Sequence, residues 1–495
     1  FQPREREDEP RVVIAEAGTG VGKTLGYVAS ASLWAERNEA PVWISTFTRN
    51  LQRQLDTELD RLYPDRETKR ERIVVRKGRE NYVCLLNYEE SLGRSSLANG
   101  PDAIALGLVA RWIMDTRDGD MVGGDFPAWL IHLFGREATT DLTDTRGECI
   151  YSACPHYSKC FIEHSVRRAR RAELVVANHA LVLIQAALST DPENRPLRYV
   201  FDEAHHLFGA ADSAFSAHLS GMETSELRRW LVGAEGGSRS RSRGLKSRVE
   251  ELIAGEIQAE KALDDALRAA RVLPGPGWHQ RITDGRSEGP AEVFLSMVKA
   301  QVYARSADAD GPYALEAEPK PLIDGLGEAA MTLENALAEL SKPIGLLMAS
   351  LHKMLVDEAE VLETSTRVKL EAVTASLERR ALNQISNWRA MLGALNADTP
   401  SEFVDWFGVE RISGRDFDVG FHRHWIDPTK PLADEVFKPA HGVAITSATL
   451  TDRTGDPDFY WQVAEARTGT HHLPTRPLQK AEASPFDYEK QLQII

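Results

Sequence analysis

The chain has 495 residues, of which 42% are hydrophobic and 27% are charged, a composition that excludes a fibre or a disordered chain and leaves room for roughly three domains. Its net charge of −15 argues against a protein that coats nucleic acid indiscriminately, but it allows a local basic channel. The longest apolar stretch, residues 174–188, is interrupted by polar residues, so no membrane span is expected. Four cysteines in so long a chain do not form a secreted disulfide framework, which favours a cytoplasmic location.

The first 77 residues alternate between strand and helix patterns. Apolar strands are predicted at residues 12–14, 42–44 and 73–75, and helices are predicted after the first and second of them. Strands that alternate with helices imply a parallel sheet covered on both faces. Residues 1–77 are therefore interpreted as the first part of an α/β domain.

Two insertions are predicted to interrupt this domain. Residues 78–172 lose the alternation and contain all four cysteines, and residues 173–209 resume the apolar strands. Residues 210–395 show apolar residues spaced three or four apart, which predicts an all-helical segment. Strand patterns return at 417–421 and 442–446, so residues 396–475 are expected to complete the sheet. Residues 476–495 are expected to begin a further domain.

A Gly-rich turn between the first strand and the first helix is typical of a phosphate-binding loop. Glycines let successive backbone N–H groups face the phosphates, and the helix N-terminus adds positive potential. Lys23 is predicted to neutralise the β- and γ-phosphates of ATP, and the Thr24 hydroxyl is predicted to ligate Mg²⁺. The predicted ATP-binding residues are Ala17, Gly18, Thr19, Gly20, Val21, Gly22, Lys23 and Thr24.

Two acidic residues follow the strand predicted at 199–201. Asp202 is predicted to hold Mg²⁺, and Glu203 is predicted to orient and deprotonate the attacking water. An Asp-Glu pair by itself is usually a solvated surface feature, but this pair accompanies a phosphate-binding loop and precedes Ala204 and His205. Lys23, Asp202 and Glu203 therefore form the predicted catalytic set.

A phosphate-binding loop followed by Asp-Glu-Ala-His resembles the signature of superfamily 2 helicases. Residues 45–55 look like the family motif that grips the DNA backbone, and residues 445–451 look like its Ser-Ala-Thr motif. Hydroxyl and amide groups suit phosphate contacts because they hydrogen-bond without reading base sequence. The resemblance implies that hydrolysis is coupled to strand movement by His205, Ser447 and Thr449. It also implies DNA contacts at Thr46, Thr48, Arg49 and Gln54.

The four cysteines are Cys84, Cys149, Cys154 and Cys160. Structural zinc sites commonly use pairs about two to four residues apart, so this looser spacing fits zinc less well than an iron-sulfur cluster, for which four thiolates also suffice. Zinc and inert buried cysteines remain alternatives. The position of these cysteines between the helicase motifs is similar to that in XPD-like iron-sulfur helicases. The spacing looks most like the bacterial DinG branch, which residues 176–181 and 484–488 also match.

This resemblance implies a RecA-like P-loop motor domain with an iron-sulfur domain at 78–172 and an Arch-like helical domain at 210–395. It implies an ATP-dependent 5′–3′ DNA helicase with ATP, Mg²⁺ and a 4Fe-4S cluster. Such a helicase translocates on single-stranded DNA and unwinds duplex or branched DNA in repair or replication. Single-strand-binding or repair proteins are further candidate partners.

The chain is also expected to be a fragment. The arginine motif of a second motor domain and the adenine-reading glutamine segment are both missing from the sequence. Arginine fingers supply on the order of a thousandfold or more in rate, so ATP turnover by this chain is expected to be poor.

Two alternatives of other classes remain open. One is an iron-sulfur nucleic-acid-binding redox sensor without motor activity, although such a binder has no use for a water-activating carboxylate at Glu203. The other is a P-loop GTPase or other NTPase that acts on protein, although the sequence contains no Asn-Lys-x-Asp guanine-reading motif.

Overall fold

A computed structural model of the chain describes residues 4–6, 8–95, 101–134, 142–144, 149, 154–187, 195–233, 235, 244–306, 311–358, 362–452 and 459–487. The chain divides into two compact units. The first consists of Phe1–Thr143, Lys159–Phe215 and Asp427–Ile495, and the second of Asp144–Ser158 and Ser216–Ile426. Within the described residues, no helix combines the length and the apolar character that crossing a membrane requires.

The first unit is built on a seven-stranded sheet in which every pairing is parallel. The strand order is β11-β1-β10-β5-β2-β4-β3. The strands are β1 (Arg11–Ala17), β2 (Val42–Thr46), β3 (Ile73–Val75), β4 (Leu174–Asn178), β5 (Arg198–Asp202), β10 (Gly442–Ser447) and β11 (Leu478–Glu482). The register aligns Glu16 with Ser447 and Thr446 with Asp202, so the carboxyl ends of β1, β10 and β5 meet at one edge of the sheet.

Helices cover both faces of this sheet. On one face, Val28 and Leu59 pack with Ile44 and Val200 in one core, and on the other Phe201 packs with Phe437 in a second core. The labelled helices of this unit are α1 (Lys23–Asn38), α2 (Arg49–Leu62), α3 (Arg66–Arg72), α4 (Leu85–Ser95), α5 (Pro101–Asp115), α6 (Ala128–Phe134), α7 (Phe161–Ala169), α8 (His179–Ala187) and α9 (Leu207–Phe215). The short helix Thr429–Leu432 and the helix Tyr460–Thr468 also belong to it. The prediction of a RecA-like, P-loop-containing α/β sheet is confirmed.

Residues between β3 and β4 form a small core of their own. It contains Val83, Trp112 and Leu130, and the Trp112 indole donates a hydrogen bond of 2.8 Å to Asp125. Strand pairing passes directly from β3 to β4, which agrees with an insertion between neighbouring strands. The identity of this segment as an iron-sulfur domain stays a prediction.

The second unit packs helices against a four-stranded antiparallel sheet of order β6-β9-β8-β7. Its strands are β6 (Ala217–Ser220), β7 (Leu315–Ala317), β8 (Phe403–Ile412) and β9 (Arg415–Trp425). The predicted apolar spacing lies on one helix of 32 residues, Leu326–Asp357, whose buried face includes Leu333, Leu340 and Leu347. The other helices are Gly221–Val232, Lys246–Val249, Ile257–Ala269, Trp278–Thr283, Gly289–Arg305, Thr364–Leu377 and Asn383–Leu395.

Three details differ from the sequence predictions. The sequence analysis expects residues 476–495 to begin a further domain, but Leu478–Glu482 forms β11, which pairs with β1 in the parallel sheet of the first unit. Residues 210–395 are largely helical, but they also contribute β6 and β7. The strand predicted at 417–421 is part of β9, which pairs antiparallel with β8 instead of completing the parallel sheet. In β9 the buried Val419 and Phe421 alternate with the more polar positions Asp418 and His422, a pattern typical of a sheet with one covered face. By contrast, β5 of the parallel sheet is buried at every position.

Candidate nucleotide-binding site

The phosphate-binding loop lies at the carboxyl edge of the parallel sheet, between β1 and α1. Gly20 and Gly22 have φ angles of 86° and 80°, a left-handed conformation that glycine adopts without steric cost. The loop borders a cavity of about 550 Å³ that also reaches Asp202, Glu203 and one side of α2. Seven of the eight predicted ATP-binding residues line this cavity, all but Val21: Ala17, Gly18, Thr19, Gly20, Gly22, Lys23 and Thr24.

Lys23 is held between the two predicted catalytic carboxylates. Its Nζ lies 2.9 Å from Asp202 Oδ1 and 2.6 Å from Glu203 Oε1. Burial alone would lower the pKa of Lys23, but the two carboxylates outweigh that effect and raise the pKa above its ordinary value. The structure therefore brings the three predicted catalytic residues together, with a charged ammonium at the cavity wall.

Tyr27 is a site residue that the sequence analysis missed. Its hydroxyl donates a hydrogen bond of 3.0 Å to Asp202 Oδ2, so both oxygens of Asp202 have partners. Burial, together with the negative charge of Asp202, raises the pKa of Tyr27, and the phenol stays protonated as a donor. The signal was present in the spacing, because Tyr27 follows Lys23 by four residues and therefore lies on the same face of α1.

Glu203 connects the nucleotide site to the Ser-Ala-Thr segment. Its Oε2 accepts a hydrogen bond of 3.4 Å from the Ser447 hydroxyl, and Ser447 Oγ lies 2.7 Å from His205 Nδ1. The Thr449 N–H in turn donates to Ser447 Oγ at 3.4 Å. These contacts join the three predicted coupling residues, His205, Ser447 and Thr449, in one network with Glu203. Their role in coupling remains a prediction.

Glu16 is a second residue that the sequence analysis missed. Its side chain is buried at the end of β1, and one oxygen, Oε2, accepts three hydrogen bonds. The donors are the Leu450 N–H at 2.9 Å, the Thr451 N–H at 2.6 Å and the Thr451 hydroxyl at 2.7 Å. Glu16 therefore ties the strand before the phosphate loop to the residues after the Ser-Ala-Thr segment.

Residues 484–486 pack directly on the phosphate loop. The Ser484 hydroxyl donates a hydrogen bond of 2.8 Å to the Thr19 carbonyl. A Cβ atom added at Gly18 would lie 2.5 Å from the Ser484 backbone nitrogen, and one added at Gly20 would lie 2.3 Å from the Phe486 ring. Both glycines are therefore required by close approach of this segment.

The predicted DNA contacts lie around the start of α2. Thr46 is buried at the end of β2, and its hydroxyl has no hydrogen-bond partner among the described residues. The Thr48 hydroxyl caps α2 by accepting a hydrogen bond of 3.2 Å from the Leu51 N–H. Gln54 lines the nucleotide cavity, and the Arg49 side chain lies outside the described residues. A role for these four residues in DNA binding stays a prediction.

A buried histidine supports the same part of the sheet. His179 begins α8, and its Nδ1 lies 2.6 Å from the Ser45 hydroxyl of β2. Burial lowers the pKa of His179 from 6.5 to about 3. The imidazole is therefore neutral at physiological pH.

The four cysteines are described residues, and each is partly exposed. Cys84 and Cys160 belong to the first unit, where Cys84 precedes α4 and Cys160 precedes α7, whereas Cys149 and Cys154 fall in the second unit. Thiols that are neither locked in a core nor fully exposed suit metal or cluster ligation. The donor set therefore fits a 4Fe-4S cluster by its chemistry, and the cluster itself stays a prediction.

Comparison with known proteins places these features in context. No protein-family model matches the sequence. The chain is 22% identical over 503 residues to the Bacillus subtilis protein named 3′-5′ exonuclease DinG. The alignment covers 97% of this chain and 48% of that protein. The chain is 33% identical over 228 residues to the Mycobacterium tuberculosis ATP-dependent helicase DinG, covering 42% of this chain and 33% of that protein.

The chain is 30% identical over 253 residues to the Escherichia coli ATP-dependent DNA helicase YoaA. The alignment covers 46% of this chain and 37% of that protein. The chain thus spans about half or less of the length of these curated relatives. Their similarity confirms the resemblance to DinG-like helicases that the motifs indicated.

Proposed function

We propose that this chain supplies the nucleotide-hydrolysing motor of an ATP-dependent DNA helicase. The observation that carries the proposal is the convergence of Lys23, Asp202 and Glu203 on a cavity bordered by a phosphate-binding loop. A site that only bound nucleotide would need the loop and the lysine but no second carboxylate. The names of the curated relatives, helicases in two of the three cases, support the same class of activity.

The proposed mechanism assigns a separate task to each side chain. Lys23 exchanges its carboxylate partners for the β- and γ-phosphates of ATP, which frees Glu203 to orient a water molecule and accept its proton. Thr24 and Asp202 would hold Mg²⁺, which neutralises phosphate charge. Because Glu203 also contacts Ser447, a change in the partners of Glu203 alters the Ser-Ala-Thr segment. His205 and Thr449, which both contact Ser447, complete the coupling network.

The Glu203→Gln variant tests this assignment. It should bind ATP as the native chain does and hydrolyse it about a hundredfold more slowly or worse, the range that general-base removal produces. Single-turnover hydrolysis with excess protein detects activity even when steady turnover is low. Glu58→Gln is a matched control, since Glu58 lines the same cavity from α2 and should leave the rate unchanged. Equal single-turnover rates for Glu203→Gln and the native chain would contradict the assignment.

The proposal includes movement on single-stranded DNA in the 5′–3′ direction and unwinding of duplex or branched DNA in repair or replication. Backbone contacts from Thr46, Thr48, Arg49 and Gln54 would hold the strand without reading its sequence. Partial duplexes with either a 5′ or a 3′ single-stranded tail separate the two directions of unwinding. The products should be intact strands, since shortened ones would instead indicate the exonuclease activity named for the Bacillus subtilis relative.

The proposal also includes a 4Fe-4S cluster held by Cys84, Cys149, Cys154 and Cys160, in a domain that helps to separate the strands. Anaerobically purified protein should contain about four iron and four sulfide per chain. Cys149→Ser should lose both. Zinc in place of iron would contradict the cluster, but it would leave the ATPase assignment intact.

A further inference from the structure

Three side chains outside the nucleotide site and the cysteines converge in the first unit. Asp427 lies two residues before the short helix Thr429–Leu432, and His471 and His472 follow the helix Tyr460–Thr468. We call these three residues the His-Asp cluster. His472 Nε2 lies 2.8 Å and His471 Nε2 lies 3.6 Å from the same oxygen, Asp427 Oδ2. One potential ligand atom from each residue lies within 4.8 Å of the others.

The remaining polar atoms of Asp427 and His471 are already engaged in ways that orient these ligands. Asp427 Oδ1 accepts hydrogen bonds from the Thr429 N–H at 3.0 Å and the Thr429 hydroxyl at 2.6 Å, which turns Oδ2 toward the histidines. His471 Nδ1 lies 3.2 Å from the Glu465 carbonyl. A carbonyl only accepts, so Nδ1 is the donor and Nε2 is the ring nitrogen that faces Asp427. By the same reasoning, His472 Nε2 donates to Asp427 Oδ2, and a metal ion would take the place of that proton. Metal-binding histidines are oriented by the same kind of contact.

The backbone holds the two segments against each other. Gly469 has a φ angle of 80°, and a Cβ atom at this position would lie 2.8 Å from the Thr429 carbonyl oxygen. The Thr429 hydroxyl oxygen also lies 3.3 Å from the Ala466 carbonyl oxygen. Behind these contacts, Leu432 and Leu473 belong to the core that packs on the parallel sheet. The fold therefore holds the backbone of the two segments that carry the cluster close together.

We propose that Asp427, His471 and His472 bind a divalent transition-metal ion, with Zn²⁺ as the best match. Two imidazole nitrogens and one carboxylate oxygen suit Zn²⁺, and three protein ligands leave a fourth position for water. The side chains of Asp427, His471 and His472 are 42%, 37% and 23% exposed, so an ion reaches the site from solvent. The bound ion fastens the segment before β10 to the helix Tyr460–Thr468. This inference does not depend on the proposed helicase activity.

Zinc binding should be measured on the full, anaerobically purified chain with its four cysteines unmodified. The cysteines are the same in the native chain and in every variant, so a difference in zinc binding reports on the His-Asp cluster. Isothermal titration with Zn²⁺ should show one equivalent bound. His472→Gln and Asp427→Asn should each weaken binding by about tenfold or more, since changes even to the partners of metal ligands cost about 10–100-fold. His352→Gln is the matched control, because His352 is an exposed histidine outside the cluster, and it should bind as the native chain does.

A second measurement, made on the native chain, covers the case in which a variant fails to fold. Zn²⁺ should protect His471 and His472 from modification by diethyl pyrocarbonate, detected in peptides, while His352 stays reactive. Absence of zinc binding, or equal modification of the cluster with and without zinc, would overturn the proposal. Equal affinity of folded His472→Gln, folded Asp427→Asn and native chains would also overturn it and would leave the cluster as a set of hydrogen bonds.

Discussion

Replacing Glu16 with glutamine should loosen the residues that follow the Ser-Ala-Thr segment. One oxygen of the Glu16 carboxylate accepts three hydrogen bonds from Leu450 and Thr451. Glu16 is aligned with Ser447 across the β1–β10 pair, so the contact joins two strands that both lead into the nucleotide site. Glutamine preserves the shape and one acceptor oxygen but removes the charge.

The expected magnitude follows from the difference between charged and neutral hydrogen bonds. Bonds to a charged group contribute about 1.5–3 kcal/mol each and neutral ones about 0.5–1.5 kcal/mol, so each bond loses about 1 kcal/mol. Glu16 is only 6% exposed, and water does not replace the lost interaction. Three bonds together give about 3 kcal/mol, or about a hundredfold in the local opening equilibrium.

Hydrogen–deuterium exchange measures this opening directly at the Leu450 and Thr451 amides. Exchange there should accelerate by about a hundredfold in Glu16→Gln, because protected amides exchange through local opening. Glu482→Gln is the control, since Glu482 is an exposed residue of β11 whose carboxylate pairs with Lys480 at 3.2 Å. Exchange at the two amides that is the same in Glu16→Gln, Glu482→Gln and the native chain would refute this explanation of the contact.

Three further predictions concern the phosphate loop and its surroundings. Tyr27→Phe should lower the free energy of unfolding by about 1.5–3 kcal/mol, because a carboxylate loses its hydrogen bond; Tyr63→Phe, in the same core, should change it far less in denaturant titrations. Burial lowers the pKa of His179 from 6.5 to about 3 in the folded chain. At pH values between these two, His179 is therefore protonated in the unfolded chain but not in the folded one. Its contribution to stability is present above pH 6.5 and falls by about 2 kcal/mol at pH 5, so the native chain should lose more stability between these pH values than His179→Asn. Alanine at either Gly20 or Gly22 would be held in a left-handed backbone conformation that costs about 1–2 kcal/mol. Of these two glycines, only Gly20 faces an aromatic ring, that of Phe486. Nucleotide titrations should therefore show a larger loss of affinity for Gly20→Ala, and equal losses would refute the packing argument.

Much of the first unit could be predicted because three of its strands, β2, β4 and β5, are buried at nearly every position. Strands such as β4 and β5 read as continuous apolar runs, a pattern that identifies a strand in a parallel sheet without knowledge of its partner. The phosphate loop could also be predicted from the sequence. Between a strand and a helix, a Gly-rich turn that ends in Lys and Thr is typical of phosphate binding, and this turn contains Gly20, Gly22, Lys23 and Thr24.

The pairing partner of the strand β9 could not be predicted from the sequence. The strand pattern at 417–421 correctly predicted a strand, but such a pattern does not name the partner, and β9 pairs with β8 in the second unit. Pairing depends on which other strand presents a matching face, and that information is spread over distant parts of the chain.

The sequence by itself determined the local chemistry of this protein: a loop able to hold phosphate, two carboxylates at the end of a buried strand, and four thiols. Local order is enough for these features because backbone conformation and side-chain type set them within a few residues. Only the tertiary structure decided that Glu16 meets Thr451, that Phe486 packs on Gly20, and that Asp427 meets His472. These pairs are separated by tens to hundreds of residues, and each arises because packing of the sheet and its helices brings the segments together.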